Sequence, residues 1–506
     1  MRRSAAAADR GADASVSDNP NARAKKPARV GKPPASRREG RGRVEAPAPP
    51  PTGLAARELA VDLIAAVLQD HRALDETLAN LLKSPAYRHL ETRDLGMART
   101  IAANTLRYAQ PLDEVVGRHI EKPLPAKQGR VAAILLSAAT QMLILKTPAH
   151  AAINLAVDQT RLSRQSTHLA KFVNAVLRKV SVSGSEDLAM LDLPRSAIPP
   201  WLFQRWASAY GDEQALAIAK ACLIEAPLDL TLKEPCRAAE WAERLGGATT
   251  ATGSLRLSGA GRVDELPGFS EGAWWVQDAA AALPARLLGD ANGLGVADLC
   301  AAPGGKTAQL AASGANVVAV DQAASRLARV SENLARLNLK ADLVEADAAS
   351  WQPGRTFDAV LLDAPCTATG TIRRHPDILH LKRESDVAAL ATLQERLLAN
   401  AATLVRPGGL LVYCTCSLQP EEGEEQAARF LDAHPDWECL PVTPGESGIE
   451  AAWLTPEGYL RPLPSQTPAF AGCGPEAPSD PPAASERPAQ PGGMDGFFAA
   501  RFRRKT

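Results

Sequence analysis

Apolar residues recur every three or four positions from Leu54 to about Val180, in segments such as LAVDLIAAVL, RTIAANTLRYA, VAAILLSAATQMLIL, AAINLAVDQT and LAKFVNAVLRKV. That period places apolar side chains on one face of an α-helix, and Pro111, Pro123, Pro125 and Pro148 punctuate the run. The pattern predicts an all-helical domain of five or more helices. A helix starting at Pro199 and Pro200 comes next, with the aromatic face of IPPWLFQRWASAYG, and a mixed α/β region continues to about Gly272. From Trp274 the rhythm changes: short apolar runs, GVADLC, NVVAVD, ADLVEAD, FDAVLLDAPC and GGLLVYCTC, alternate with helical segments. Continuous runs of this kind read as parallel strands covered on both faces, so a doubly wound α/β sheet is expected. A final strand, GFFAARFRRK, ends the chain.

Two stretches carry no such pattern. Residues 1–52 are rich in Ala, Pro, Arg and Lys, and residues 1–50 hold twelve basic against five acidic side chains, a net of +7. With so few large apolar groups the tail cannot offset its ordering entropy and is expected to be disordered. It either adds affinity for RNA phosphates or is a solvated extension. A second Pro/Ala-rich stretch at about 475–493 is expected to be a surface loop. The expected division is therefore a tail at 1–52, a helical domain at 53–185, a small subdomain at 186–273 and an α/β core at 274–506.

Charge and cysteine content narrow the class. The 57 basic and 57 acidic residues cancel, so only local charge is informative. Arg161, Arg164, Lys171, Arg178 and Lys179 suggest a basic face at the end of the helical domain, or a solvated one. Eight scattered cysteines lack the dense spacing of a secreted disulfide scaffold. They read as reduced thiols of a cytoplasmic protein. The window from Val131 is too short and too polar to span a bilayer.

In GVADLCAAPGGKTAQLA a strand ends at Cys300, the chain turns through Pro303, Gly304 and Gly305, and a helix starts near Lys306. The glycines let backbone N–H groups approach a ligand closely. The spacing matches neither a dinucleotide fingerprint nor a phosphate loop, which favours a nucleoside without phosphates. The next strand ends on Asp321, where doubly wound folds hold a ribose diol. The third is expected to end at Asp347 and the fourth at Asp363. Acids closing consecutive strands suggest S-adenosyl-L-methionine.

The fourth strand runs out as DAPCTATG and the fifth as YCTCS, so Cys366 and Cys416 share one pocket if these strands are neighbours. For Cys416 four readings compete: packing, a disulfide, a metal site or a nucleophile. A lone C-x-C without a partner pair argues against zinc, and a reducing compartment argues against a disulfide. Packing suits Cys414, and extends to Cys222, Cys300 and Cys439, because free cysteine is commonly buried. At the strand exit, Cys416 is better read as a nucleophile.

DLCAAPGGKT, LLDAPCTATGTIRRHPDI and VYCTCSLQPEE resemble the motifs of the RNA 5-methylcytosine methyltransferases, specifically the ribosomal RNA type called RsmB or Sun. The resemblance spans nearly the whole chain after the tail. It implies a multidomain architecture: an N-terminal all-α NusB-like helical RNA-binding domain, a small α+β subdomain, and an α/β Rossmann-like class I methyltransferase core. It implies that Cys416 attacks C6 of a cytosine, that Cys366 assists release, and that Asp363 contacts the ring or the methionine end of the cofactor. Cofactor contacts fall by family matching on Cys300, Ala301, Ala302, Pro303, Gly304, Gly305 and Lys306, with Asp321, Asp347 and Asp363. The expected partner is single-stranded or loop RNA of the small ribosomal subunit, with no metal and no membrane, and a monomeric enzyme. Transfer RNA is the alternative substrate, and a non-catalytic assembly factor is the alternative from another class. Deleting residues 53–185 is expected to remove RNA binding and spare cofactor binding. His375 is a candidate activator of the nucleophile only by nearness in sequence, and a structural role suits it better. Cys414 departs from the family, which often has a small residue there.

Overall fold

The computed structural model describes residues 53–122, 124–125, 128–257, 261–470 and 492–506. The basic tail, Cys473 and the expected loop at 475–491 lie outside these residues. Seven helices form the first block: Leu54–Leu68, Leu74–Leu81, Thr92–Arg107, Ala109–Gly117, Gly129–Leu143, Ala149–Leu162 and Ala170–Ala189. In the last of them Ala170, Val173, Val176, Leu177, Val180, Gly184 and Leu188 are buried. That three-and-four spacing is the helical stripe read from the sequence. The helix continues past 185, the expected boundary, to Ala189. Arg161, Arg164, Lys171, Arg178 and Lys179 are all exposed.

The helices Pro200–Tyr210 and Asp212–Cys222 follow. Their apolar faces, with Trp206, Phe203 and Ile218, pack against Ile372, Leu379 and Leu418. A small antiparallel sheet comes next: β1 (Leu228–Leu232), β2 (Ala248–Thr249), β3 (Leu255–Leu257) and β4 (Trp274–Val276), in the order β2-β3-β1-β4. Because β4 pairs with β1, this subdomain reaches three residues past the expected boundary at 273.

The large sheet contains β5 (Gly295–Leu299), β6 (Asn316–Asp321), β7 (Asp342–Glu345), β8 (Phe357–Asp363), β9 (Val405–Thr415), β10 (Trp437–Cys439) and β11 (Phe498–Arg504). Their order is β10-β11-β9-β8-β5-β6-β7. Strands β7, β6, β5, β8 and β9 are parallel. The five expected strands are the parallel ones, and the final strand, whose direction the sequence left open, is antiparallel: β11 lies between β9 and β10 and runs opposite to both. The chain runs outward from β5 through β6 and β7, then resumes on the other side with β8 and β9. The direction of winding therefore switches between β5 and β8, and ligands of open α/β sheets sit outside the carboxyl ends at such a point.

The helical block is bonded to the loop that follows Cys366. Arg107, 3 % exposed, donates from Nη2 to the Arg373 carbonyl at 2.8 Å and from Nε to the Cys222 carbonyl at 3.2 Å. His380 donates from Nε2 to the Leu106 carbonyl at 2.8 Å, and the Leu74 N–H donates to Asp377 Oδ2 at 3.0 Å. Burial lowers the His380 pKa and favours the neutral ring. Replacing Arg107 by methionine leaves two buried carbonyls without this donor, at a cost of about 1–3 kcal/mol. Urea unfolding should register that loss, with a midpoint at lower urea than wild type.

Candidate active site

Parallel pairing sets Asp363 of β8 beside Cys414 of β9, so the two strands end together. The pairing continues into the loops: the Ala364 N–H donates to the Cys414 carbonyl at 2.9 Å, and the Gly370 N–H donates to the Cys416 carbonyl at 3.0 Å. A Cβ on Gly370 would run into the Gly496 backbone, so this crossing needs a residue without a side chain. The consequence is that Cys366 Sγ and Cys416 Sγ stand 3.5 Å apart, both partly exposed.

The two thiols open onto a cavity of about 230 Å³ at the carboxyl ends of β5, β6, β8 and β9. Cys300, Ala302, Asp321, Asp347, Asp363, Cys366 and Cys416 line it. Ala301, Pro303, Gly304, Gly305 and Lys306 do not; they shape the turn behind the wall. The Ala301 N–H donates to the Val320 carbonyl at 3.0 Å, and the Pro303 carbonyl accepts from Asn333 at 3.2 Å. Gly304 has φ of +98°, a conformation glycine reaches without steric cost, and a Cβ there would press on Val330. Gly305 opens the helix Gly305–Ala312. β7 ends at Glu345, so Asp347 stands two residues beyond the strand end, on an exposed turn where its Oδ1 accepts from the Ala349 N–H at 2.9 Å. A larger depression of about 1030 Å³ lies around Gly314, Asn316 and Arg355 and holds none of these residues.

Lys306 donates from Nζ to Asp363 Oδ2 at 2.7 Å, and its ammonium lies 4.9 Å from the Phe497 ring centroid. Burial works against its charge, but the Asp363 carboxylate outweighs that and raises its pKa, with smaller contributions from Cys414 and Cys416. Asp321 is 1 % exposed, pairs with Arg326 at 2.7 Å, and accepts from the Ala302 and Ala323 N–H groups. Beneath the turn, burial pushes the Asp298 carboxyl up to about 7 although Thr307 donates to it at 2.5 Å.

The cysteines separate by environment. Cys366 holds its proton well above the usual thiol range because it shares a hydrogen bond with Cys416 and because most of its sulfur is shielded from water. Cys414 lies fully buried in β9, its thiol raised by burial and 3.5 Å from Asp363 Oδ1, away from the cavity wall. Cys222 is buried in the helical pair. Cys300 is not simply packing: it leaves β5 with φ of +60° and faces the cavity, although burial pushes its thiol up to about 12. Cys439 is only partly buried, on the edge strand β10. His375 is outside the cavity wall and faces Asp75 of the helical block at 3.6 Å.

Several residues at the site escape sequence reading. Gln322, Arg326, Leu393 and Leu397 also line the cavity. Gln394 is buried on the apolar stripe of the helix Glu384–Thr403, between Val387 and Leu397. A polar residue on such a stripe is the signal that could have found it. Glu422 is one of four glutamates in PEEGEE, and nothing in that run distinguishes it.

The family description "16S rRNA methyltransferase RsmB/F" matches residues 285–503, and "NusB family" matches residues 54–182. Ribosomal RNA small subunit methyltransferase B of Pseudomonas putida is 37% identical over 464 residues, covering 88% of this chain and 98% of that protein. The protein of the same name from Pseudomonas syringae pv. tomato is 39% identical over 393 residues, covering 74% and 86%. The crystal structure of PH0851 superposes with a TM-score of 0.68 at 22% identity, covering 89% of this chain and 99% of that one, which shows a shared fold. The chain belongs to the RsmB/F family of 16S rRNA methyltransferases.

Proposed function

We propose that the protein transfers a methyl group from S-adenosyl-L-methionine to C5 of a cytidine in 16S ribosomal RNA, by way of a covalent bond between Cys416 and C6 of the base. The observation that carries this reading is the pair of thiols 3.5 Å apart at the mouth of an acidic cavity. The cavity chemistry fits the cofactor. Three carboxylates, Asp321, Asp347 and Asp363, face Arg326 alone among the cations of the wall, and Lys306 is already held by Asp363. Such a site suits a cationic nucleoside without phosphates. Cys300, Ala302, Asp321 and Asp347 would hold it, with Asp363 at the end nearest the thiols. S-adenosyl-L-methionine, when bound, supplies an electrophilic methyl on a sulfonium sulfur.

Cytosine C5 is too weak a nucleophile to take that methyl unaided. The Cys416 sulfur adds to C6, the 5,6 double bond opens, and C5 becomes enamine-like. Only the thiolate can do this, and the buried Lys306 ammonium supplies favourable charge nearby. Asp363, fixed by Lys306, contacts the ring as an acceptor and orients it, and the Lys306 ammonium favours the negative charge that develops on addition. After C5 is methylated its proton passes to water, the C–H electron pair restores the double bond, and the C6–S bond breaks with its pair returning to Cys416. The Cys366 S–H, 3.5 Å from that sulfur, stabilises the departing thiolate. The target base must leave its stack, at a cost of a few kcal/mol, so single-stranded or loop RNA is the substrate. The helical block, residues 53–185, binds it through the exposed Arg161, Arg164, Lys171, Arg178 and Lys179 by phosphate contacts.

The test is methyl transfer from labelled cofactor to unmodified 16S rRNA and to transfer RNA, followed by nucleoside analysis. The expected product is 5-methylcytidine from 16S rRNA. Label on another base, or on transfer RNA alone, would overturn the reading.

A further inference from the structure

The loops carrying the two thiols are joined by one buried carboxylate. Glu422, fully buried six residues after Cys416, sends its side chain back between them. Its Oε1 accepts from the Thr367 N–H at 2.9 Å and from Gln394 Nε2 at 3.1 Å. Its Oε2 accepts from the hydroxyls of Thr367 and Ser417. Thr367 follows Cys366, and Ser417 follows Cys416. Gln394 also donates to the Pro365 carbonyl at 2.9 Å, one residue before Cys366. The Glu422 backbone carbonyl accepts from Tyr413 of β9 at 2.7 Å, which fixes the carboxylate to the strand that ends at the nucleophile.

Four donors converge on two oxygens, and among the described residues no cation pairs with the group. A carboxylate only accepts, so its two oxygens can take all four donors at once. Burying a carboxylate without a cation is costly unless hydrogen bonds compensate. Stability alone gives no reason to place it between two reactive loops.

We propose that Glu422 is a positioning residue: by tying Thr367 to Ser417 it sets the distance at which the Cys366 S–H reaches the Cys416 sulfur, and so governs how fast the covalent intermediate is released. This rests on the two-thiol reading above. The step it controls is elimination, in which the C5 proton passes to water, its electron pair re-forms the double bond, and the C–S electron pair returns to Cys416 under the Cys366 hydrogen bond. The group touches neither base nor cofactor.

Glu422→Gln is the test, since the amide keeps shape and volume but removes the charge, and its NH2, turned toward the Thr367 and Ser417 hydroxyls, reverses the hydrogen bonds they now donate. Misplacing reacting groups by about 1 Å costs up to roughly a hundredfold in rate. Turnover of the full-length enzyme should fall about tenfold or more, while a covalent RNA–protein adduct accumulates on denaturing gels and the KM for the cofactor stays within about twofold. A merely structural role would lower activity without enriching the adduct. A second readout does not depend on catalysis. Diamide takes up the two thiol protons and two electrons as Cys366 and Cys416 form a disulfide, and mapping that peptide by mass spectrometry times their encounter. Its rate should drop in Glu422→Gln, and in Thr367→Val, which deletes one donor if the first variant does not fold. Wild-type crosslinking rate and adduct level in these variants would overturn the proposal. Should Cys416→Ala keep its activity, the two-thiol reading fails, and the crosslinking comparison still decides whether Glu422 positions the sulfurs.

Discussion

Cys416→Ala makes no methylated RNA, with a fall on the order of 10⁴-fold or more, the scale on which removing a covalent nucleophile acts in other enzymes. Under the mechanism proposed above Cys366→Ala should behave differently, because the sulfur it loses serves departure and not attack. The 3.5 Å gap lets a Cys366 S–H reach the leaving sulfur, so without it C6 is expected to stay bonded to Cys416. The expected pattern is an empty lane for Cys416→Ala and a denaturation-resistant RNA–protein band for Cys366→Ala, read with labelled cofactor and unmodified 16S rRNA. Full activity in Cys416→Ala would reduce the strand-end cysteine to packing. It would also revive the assembly-factor alternative, which needs neither thiol.

The largest loss of stability is expected far from the thiols, in the small sheet. Asp229 of β1 lies directly opposite Arg256 of β3, both side chains fully buried, with Arg256 Nε donating to Asp229 Oδ1 at 2.7 Å and Nη2 to Oδ2 at 2.8 Å. Removing one member of such a pair leaves an uncompensated buried charge and costs about 3–5 kcal/mol. Arg256→Met should therefore unfold in markedly less urea than wild type, and adding Asp229→Leu should recover most of the loss. Burial already holds the Asp229 carboxyl above its ordinary range despite the bonds from Arg256. Without the arginine that pKa rises further, so folded Asp229 keeps a proton that the unfolded chain releases above about pH 4. A group raised in this way loses stability as pH increases. The deficit of Arg256→Met should be smaller at pH 5 than at pH 8.

Where burial follows a repeat, the sequence is readable. The last helix of the first block shows its stripe from Ala170 to Leu188, and β5, β6, β8 and β9 show unbroken apolar runs because both faces of the central sheet are covered. Strand direction leaves no trace in such a run, so the antiparallel insertion of β11 beside β9 could not be read from FAARF. Nor could the pairing of β4 with β1, since Trp274 to Val276 looks the same in either sheet. At the site, motif spacing brought Cys300, Asp321, Asp363, Cys366 and Cys416 to one cavity because each closes or follows a strand of the same sheet. It missed the inward turn of Lys306 toward Asp363, which depends on how the first helical turn is rotated. It also missed Glu422, whose distinction from Glu421, Glu424 and Glu425 is its burial alone.

The bonds from Arg107 to Arg373 and from His380 to Leu106 bear on how the protein can be dissected. The helical block is not a bead on a string. It is bonded to the loop that continues from Cys366, so cutting the chain at 185 would remove the proposed RNA-binding surface and the anchors of that loop in one stroke. Loss of turnover in such a truncation would therefore not measure RNA affinity. A helical domain grafted from another protein would work only if it brought an arginine to the same carbonyls. In this chain the helical block and the loop after Cys366 form one bonded unit, so a change in either is felt by the other.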